Sequence, residues 1–192
     1  MDENLKAALE VAQILDELKV PWFLGGSLAS SIYGVPRATL DADIVANLRP
    51  SHALPLVKNL GEDWYADEAA IREAITSRTS FNLINMNTAL KVDVFAAKFR
   101  AFEQGQFTRI QLIHLAGEDG PQIKVTCRED MIAAKLEWFR LGDEISDRQW
   151  QDILGMIRLQ GASLDMDLLV ENARELKVQD LLDRAITEAE MR

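Results

Sequence analysis

Two aspartates one residue apart, Asp41-Ala42-Asp43, follow a Gly25-Gly26-Ser27 turn that ends the apolar run Trp22-Phe23-Leu24. The stretch from Phe23 to Val45 constrains the fold more than any other part of the chain. Aspartate is a poor strand former, yet these two sit among Leu40, Ile44 and Val45, which favour a buried strand. Alternation along such a strand puts Asp41, Asp43 and Val45 on one face and Leu40, Ala42 and Ile44 on the other. One face can build a core while the other does chemistry. Gly25-Gly26 supplies the positive or close-packed backbone angles of a tight turn, and Ser27 is placed to cap a helix over residues 28–33. Backbone N–H groups at such a helix start can hold a phosphate. An isolated Asp-x-Asp pair is usually a solvated strand with alternating charge. The glycine turn before it favours a device that grips phosphate and a divalent metal.

Elsewhere the apolar spacing predicts an α+β layout. Residues 3–18 form an amphipathic helix that Val20-Pro21 ends, and Pro21 marks the entry to the strand at 22–24. Gly34, Pro36, Arg37 and Thr39 make a loop. Ser51 caps a helix that runs to Leu60 and stops at Gly61, and residues 67–77 form another, with Ile71 and Ile75 four apart. Strands follow at 81–84 and 89–95, joined by the turn chemistry of Asn85-Met86-Asn87. In the second of them Lys91, Asp93 and Phe95 face away from Leu90, Val92 and Val94. Two more strands, 109–115 and 122–125, flank the turn signal Gly117 to Pro121. Thr126 and Glu129 stand at capping-box spacing before a helix over 128–141, and helical patterns cover 147–159, 164–175 and 178–190. The expected organisation is a mixed β-sheet flanked by helices over residues 1–125, then a C-terminal helical lobe over 126–192 packed on it.

Composition removes several function classes. No apolar run approaches the roughly 20 residues of a membrane span, and neither a signal peptide nor a transit peptide is evident, so a cytoplasmic protein with no membrane role is expected. Cys127 is the one cysteine, and with only His52 and His114 beside it no zinc cluster can be assembled. A small buried thiol is its expected state. Net charge is −10, and residues 143–192 carry 12 acidic and 6 basic side chains, which argues against a broad nucleic-acid face there. Lys98, Arg100 and Arg109 leave room for local contact with RNA.

Asp41, Asp43 and Asp93 therefore stand on the polar faces of two strands that could be neighbours. Magnesium takes oxygen ligands and keeps waters that substrate phosphates can displace. An i, i+2 carboxylate pair spans roughly 6–7 Å along a strand, within reach of metal ions about 3.5–4 Å apart. Lys135 stands beside the buried stripe of its helix, either as a snorkelling surface lysine or as a phosphate contact. Arg37 and Lys91 are local cations able to neutralise a triphosphate, or ordinary solvated charges. Trp138 and Trp150 suggest packing between lobes more than a base-stacking platform.

With Gly26-Ser27, Asp41-Ala42-Asp43 and Asp93 in this order, the chain resembles the nucleotidyltransferases of the DNA polymerase β superfamily. Arg37, Lys91-Val92-Asp93, Lys135 and the Asp147 to Asp152 segment make it most similar to the abortive-infection, type IV toxin-like members, over roughly residues 20–155. The resemblance implies transfer of a nucleoside monophosphate from a nucleoside triphosphate, such as ATP, to an acceptor hydroxyl on RNA such as tRNA, or on protein. It implies Asp41, Asp43 and Asp93 as catalytic residues and ligands of Mg2+ or Mn2+. Gly25, Gly26, Ser27, Arg37, Lys91 and Lys135 become the nucleotide-binding set, and a cognate toxin or antitoxin becomes a partner. A non-catalytic member that binds nucleotide or a partner, and an antitoxin-like enzyme that modifies protein, are the alternative readings.

Overall fold

In the computed structural model, residues 3–34, 41–114 and 120–190 are described. They form a mixed α+β structure in two compact units. The first unit takes residues 3–28, 41–114 and 120–125; the second takes 29–34 and 126–190. The chain thus divides after Val125, and residues 29–34 group with the helices that follow.

The first unit is built on a sheet of β1 (Trp22–Leu24), β2 (Ala42–Ala46), β3 (Trp64–Tyr65), β4 (Ser80–Asn85), β5 (Lys91–Ala96), β6 (Gln111–His114) and β7 (Gln122–Val125). The strand order is β3-β4-β5-β2-β1-β7-β6. β2 runs parallel to β5 and β1 parallel to β7, while the remaining neighbours are antiparallel. One face is apolar: Ala42, Ile44 and Ala46, then Val92, Val94 and Ala96, then Phe81 and Leu83, are all buried. Helix α1 (Glu3–Glu17) lies against β2 and β5, α3 (Ala53–Leu60) against α1, and α4 (Glu68–Ser77) against α3 and β4. Val11 and Leu15 of α1 are fully buried, and each such side chain contributes roughly 1.5–3 kcal/mol.

The opposite face carries Asp43 and Val45 of β2 with Lys91, Asp93 and Phe95 of β5, all half-buried. α5 (Ala101–Thr108) covers part of it, with the Phe107 ring edge-on to Phe23 at 5.2 Å. Phe23 is the register partner of Val45. Apolar cover at one end of this face leaves its other end to the aspartates.

The second unit contains α6 (Arg128–Leu141), α7 (Asp147–Gln160), α8 (Met166–Glu175) and α9 (Gln179–Glu190). α6 packs on α7 and α8, and α9 on α7 and α8. Ile132, Leu136, Ile153, Leu169 and Leu182 form its core. Trp150 packs on Phe139 at 5.0 Å, with the Arg184 guanidinium over its ring at 4.3 Å and its N–H donated to Glu188. Trp150 is therefore core of the helical unit, while Trp138 is 52% exposed.

Several sequence expectations shift. The capping box at Thr126 does not form: Cys127 is the N-cap of α6, and the Thr126 hydroxyl donates to Asp130 Oδ2 at 2.9 Å. Asn172 donates to the other oxygen at 2.8 Å, so a fully buried carboxylate is satisfied from two sides. Glu129 instead accepts from the Asp165 N–H and faces Arg128. Ser51 lies inside a 3-10 turn, Pro50–His52, whose N-cap is Arg49. The turn at Asn85 does form, its side chain accepting from the Asn87 and Thr88 N–H groups. Among the described residues no helix is long and apolar enough to cross a membrane.

Candidate functional site

The site begins with the register of two strands. β2 and β5 are parallel with Asp43 opposite Asp93, and neighbouring strands lie about 4.8 Å apart. Two carboxylates thus stand side by side on the half-buried face. On the far side of Asp93 its partner on β4 is Asn82, and on the far side of Asp43 the Gly25 N–H donates to the Asp43 carbonyl at 2.8 Å. One row across the sheet reads Asn82, Asp93, Asp43, Gly25.

Gly26 closes this row. Its φ is +59, in the region that glycine enters without steric cost, and a Cβ built there would lie 1.7 Å from Asp43 Oδ2. Gly25 differs, since a Cβ on it would meet only Val45 Cγ2 at an ordinary 3.5 Å. The two glycines therefore have different reasons to be there. Gly26 starts α2 (Gly26–Tyr33), so Ser27 lies inside the first helical turn and is not the cap expected from sequence.

Asp93 is the most constrained of the acids. Its Oδ2 is 2.9 Å from Lys91 Nζ, whereas its Oδ1 is buried without a hydrogen-bond partner among the described residues. A buried acceptor left unsatisfied costs about 1–3 kcal/mol, so such an atom calls for a ligand or a strained role. Lys91 Nζ also lies 3.5 Å from Asp41 Oδ1, one register step away along the same two strands. The hydrogen bond to Asp93 is the main reason the Lys91 ammonium is held above its ordinary pKa, with burial opposing it. The side chain of Asp41 is 58% exposed and that of Asp93 only 17%.

The residues expected from sequence are thus only partly brought together. Gly25, Gly26, Asp43, Lys91 and Asp93 share one face of the first unit, with Asp41 at its exposed margin. Arg37 lies outside the described residues. Lys135 belongs to the second unit, where its Nζ is 3.0 Å from Asp152 Oδ2 and both side chains are nearly buried. The cation expected to contact phosphate and the acid of the following helix are partners. Asn82 is an addition that sequence reasoning misses. Its place beside Asp93 depends on strand pairing, and the only sequence signal is a polar residue between Phe81 and Leu83.

Among the described residues no three His, Cys, Asp or Glu side chains form a ready metal cluster. The Lys91 ammonium faces both Asp41 and Asp93. The donor chemistry nonetheless fits a hard cation, with carboxylate oxygens in neighbouring positions and one buried oxygen unclaimed. Cys127 is buried, and burial pushes its thiol up to about 12, far from a thiolate nucleophile. His52 is lowered, first by burial and then by Arg49, and it contacts the Arg49 N–H, away from this row.

No protein-family model matches the chain, and no curated protein sequence matches it either. Solved structures do match. ANT(2'')-Ia in complex with adenylyl-2''-tobramycin superposes with a TM-score of 0.58 at 14% identity, over 90% of this chain and 98% of that one. An antigenic nucleotidyltransferase-like protein from Paracoccidioides brasiliensis gives 0.53 at 18% identity, over 93% and 94%. The lincosamide antibiotic adenylyltransferase LnuA, lincomycin-bound, gives 0.51 at 13%, over 81% and 96%. The fold is the nucleotidyltransferase-like fold.

Proposed function

We propose that the chain is a metal-dependent nucleotidyltransferase that moves a nucleoside monophosphate from a nucleoside triphosphate to an acceptor hydroxyl. The observation that carries this reading is the pairing of Asp43 with Asp93 beside Gly26, with Asp93 Oδ1 buried and unclaimed. The fold supports it, because its solved neighbours include one named an adenylyltransferase and one in complex with an adenylylated antibiotic.

In the reaction, the acceptor oxygen forms a bond to the α-phosphorus, the bond to the bridging oxygen breaks, and pyrophosphate leaves. Asp43 and Asp93, with Asp41 at the margin, are the residues that would hold Mg2+ or Mn2+. When bound, such an ion neutralises phosphate charge and stabilises the attacking and leaving oxygens. Asp93 would accept the hydroxyl proton. Gly26 lets the backbone of the turn approach to within contact of Asp43, and the N–H groups at the start of α2 would face the triphosphate. Lys91 supplies a cation beside the same row.

The acceptor we favour is a small hydroxylated molecule. Tobramycin and lincomycin, the antibiotics named with the structural neighbours, are of this kind, and a net charge of −10 disfavours a broad RNA-binding face. An RNA or protein acceptor, with a toxin-like role and a cognate antitoxin, is the outcome that the resemblance of Arg37, Lys91-Val92-Asp93 and Lys135 would favour.

One experiment separates these readings. The protein is incubated with labelled nucleoside triphosphates, Mg2+ or Mn2+, and in turn with polyhydroxylated antibiotics, tRNA and protein. Pyrophosphate release with label on the small molecule is expected, and label on tRNA or protein moves the acceptor to that class. Nucleotide binding without transfer makes the chain a non-catalytic binder. Transfer unchanged by Asp41→Asn with Asp43→Asn would refute the catalytic assignment.

A further inference from the structure

Lys91 is a sequence-predicted phosphate cation that the first unit itself places on the face of the aspartates, and its contacts there are with carboxylates. Its Nζ is 2.9 Å from Asp93 Oδ2 and 3.5 Å from Asp41 Oδ1. The strand register explains why. Lys91 and Asp93 are i, i+2 on one face of β5, and Asp41 directly precedes Ala42, whose register partner is Val92. The contact of the ammonium with Asp93 is thus set by β5 itself, and Asp41 meets it from just before β2.

That placement has a chemical consequence. Asp93 has two oxygens: Lys91 holds Oδ2, and Oδ1 is buried with no partner among the described residues. A divalent cation taking Asp93 together with Asp41 or Asp43 would meet an ammonium on the same carboxylate. Like charges a few ångströms apart in a partly desolvated site repel strongly. The ion's hold on Asp93 is weakened for as long as the ammonium stays, and strengthens when it leaves. A triphosphate offers the displaced ammonium a new anionic partner.

We infer that Lys91 is a built-in counter-ion that competes with the divalent metal for Asp93 and Asp41, so that the site loads metal well only when a nucleoside triphosphate draws the lysine away. This inference rests on the proposed metal site, and it assigns Lys91 a second task besides neutralising substrate. It makes metal affinity depend on nucleotide.

The test is a Mn2+ titration of the full chain at fixed pH, followed by calorimetry or by the paramagnetic signal of free Mn2+, with and without a non-hydrolysable triphosphate. Lys91→Met keeps the length of the side chain and removes the charge; Lys91→Gln serves if the first variant folds poorly. Wild type is expected to bind Mn2+ weakly alone and at least tenfold more tightly with the nucleotide. Lys91→Met is expected to bind at least tenfold more tightly alone, with much of the nucleotide dependence gone and a larger thermal upshift on adding Mn2+. A merely structural lysine would not raise metal affinity when removed. If Asp43→Asn abolishes Mn2+ binding but Lys91→Met leaves it unchanged or weaker, the counter-ion role is overturned and the metal site stands. If wild type and both Lys91 variants bind no Mn2+ under either condition, the metal site itself is overturned, and the counter-ion role with it.

Discussion

Replacing Gly26 with alanine combines two effects whose sizes can be worked out separately. The first is backbone: φ at Gly26 is +59, and a non-glycine residue in the left-handed region costs about 1–2 kcal/mol. The second is steric and local to the site. The new Cβ would lie 1.7 Å from Asp43 Oδ2, 2.5 Å from its Cγ and 2.9 Å from its Cβ, whereas contacts under 3.0 Å are essentially never seen. Rotating the carboxylate relieves the first two contacts but not the third, because Cβ is tied to the strand. Asp43 must swing out of its place, and β2 must yield a little as well. A misplacement of about 1 Å in a reacting centre costs on the order of 10²-fold in rate.

Gly61→Ala isolates the backbone effect. Gly61 has φ +70 and ψ −164, an essentially glycine-only conformation that costs a side chain about 1–3 kcal/mol, yet a Cβ there meets nothing within 4 Å. Gly26→Ala should lose about 2–8 °C in melting temperature from backbone strain, and Gly61→Ala a similar or larger amount. Only Gly26→Ala should also lose Mn2+ binding and roughly 10²-fold in nucleotidyl transfer. Gly25→Ala, whose Cβ has an ordinary contact at 3.5 Å, should be close to wild type. Thermal melts, Mn2+ titration and pyrophosphate release on the three variants are the assays. If Gly26→Ala loses no more metal binding or transfer than Gly61→Ala, the close approach of Gly26 to Asp43 has no part in the site.

Other outcomes follow from single contacts. Asp93→Asn should lose on the order of 10²-fold in transfer while melting near wild type, since side-chain volume is kept; unchanged pyrophosphate release would remove Asp93 from the chemistry. Lys135→Met should destabilise the helical unit by about 1.5–3 kcal/mol, the size of a charged hydrogen bond, and Lys135→Met with Asp152→Leu should cost less than the two single changes added together, in urea melts. A phosphate-binding lysine without a structural role would give the reverse, lost activity at unchanged stability. The Cys127 thiol, pushed up by burial from 9.0 to about 12, should resist iodoacetamide at pH 8 until urea is added, as read by intact mass. Because its folded pKa is raised, its contribution to stability is complete below about 9 and is lost as pH rises toward 12.

What local sequence reveals follows the length and cleanness of each pattern. β2 and β5 alternate with a buried face of Ala42, Ile44, Val92 and Val94, so their polar faces are legible from the order of residues alone. α6 is legible for the same reason at a helical period. β3 has two residues, too few to show a period. α5 is hidden because its buried residues are Phe102, Glu103 and Gln106, a mixed set in which Gly105 further weakens the helical signal. Thr126 and Glu129 have the spacing of a capping box, but spacing does not reveal competitors. Asp130, buried within hydrogen-bond reach, takes the Thr126 hydroxyl instead.

The site raises the same issue at longer range. Alternation shows that Asp43 and Asp93 each face away from a core, but not that they stand beside each other; that depends on β2 and β5 pairing in parallel across about fifty residues of chain. The same register puts Lys91 between Asp41 and Asp93 and Asn82 on the far side of Asp93, neither of which any local pattern contains. Lys135 and Asp152 are the contrasting case. As separate hints in two helices each can be read toward chemistry, yet each supplies a structural reason for the other to be charged and buried. Lys91 accounts for Asp93 Oδ2 but not for Oδ1, which is buried and unclaimed among the described residues, and no structural pairing accounts for Gly26, which is pressed against a carboxylate. A buried polar atom without a protein partner calls for a ligand, and that places the weight of the functional argument on the row from Gly26 to Asp93.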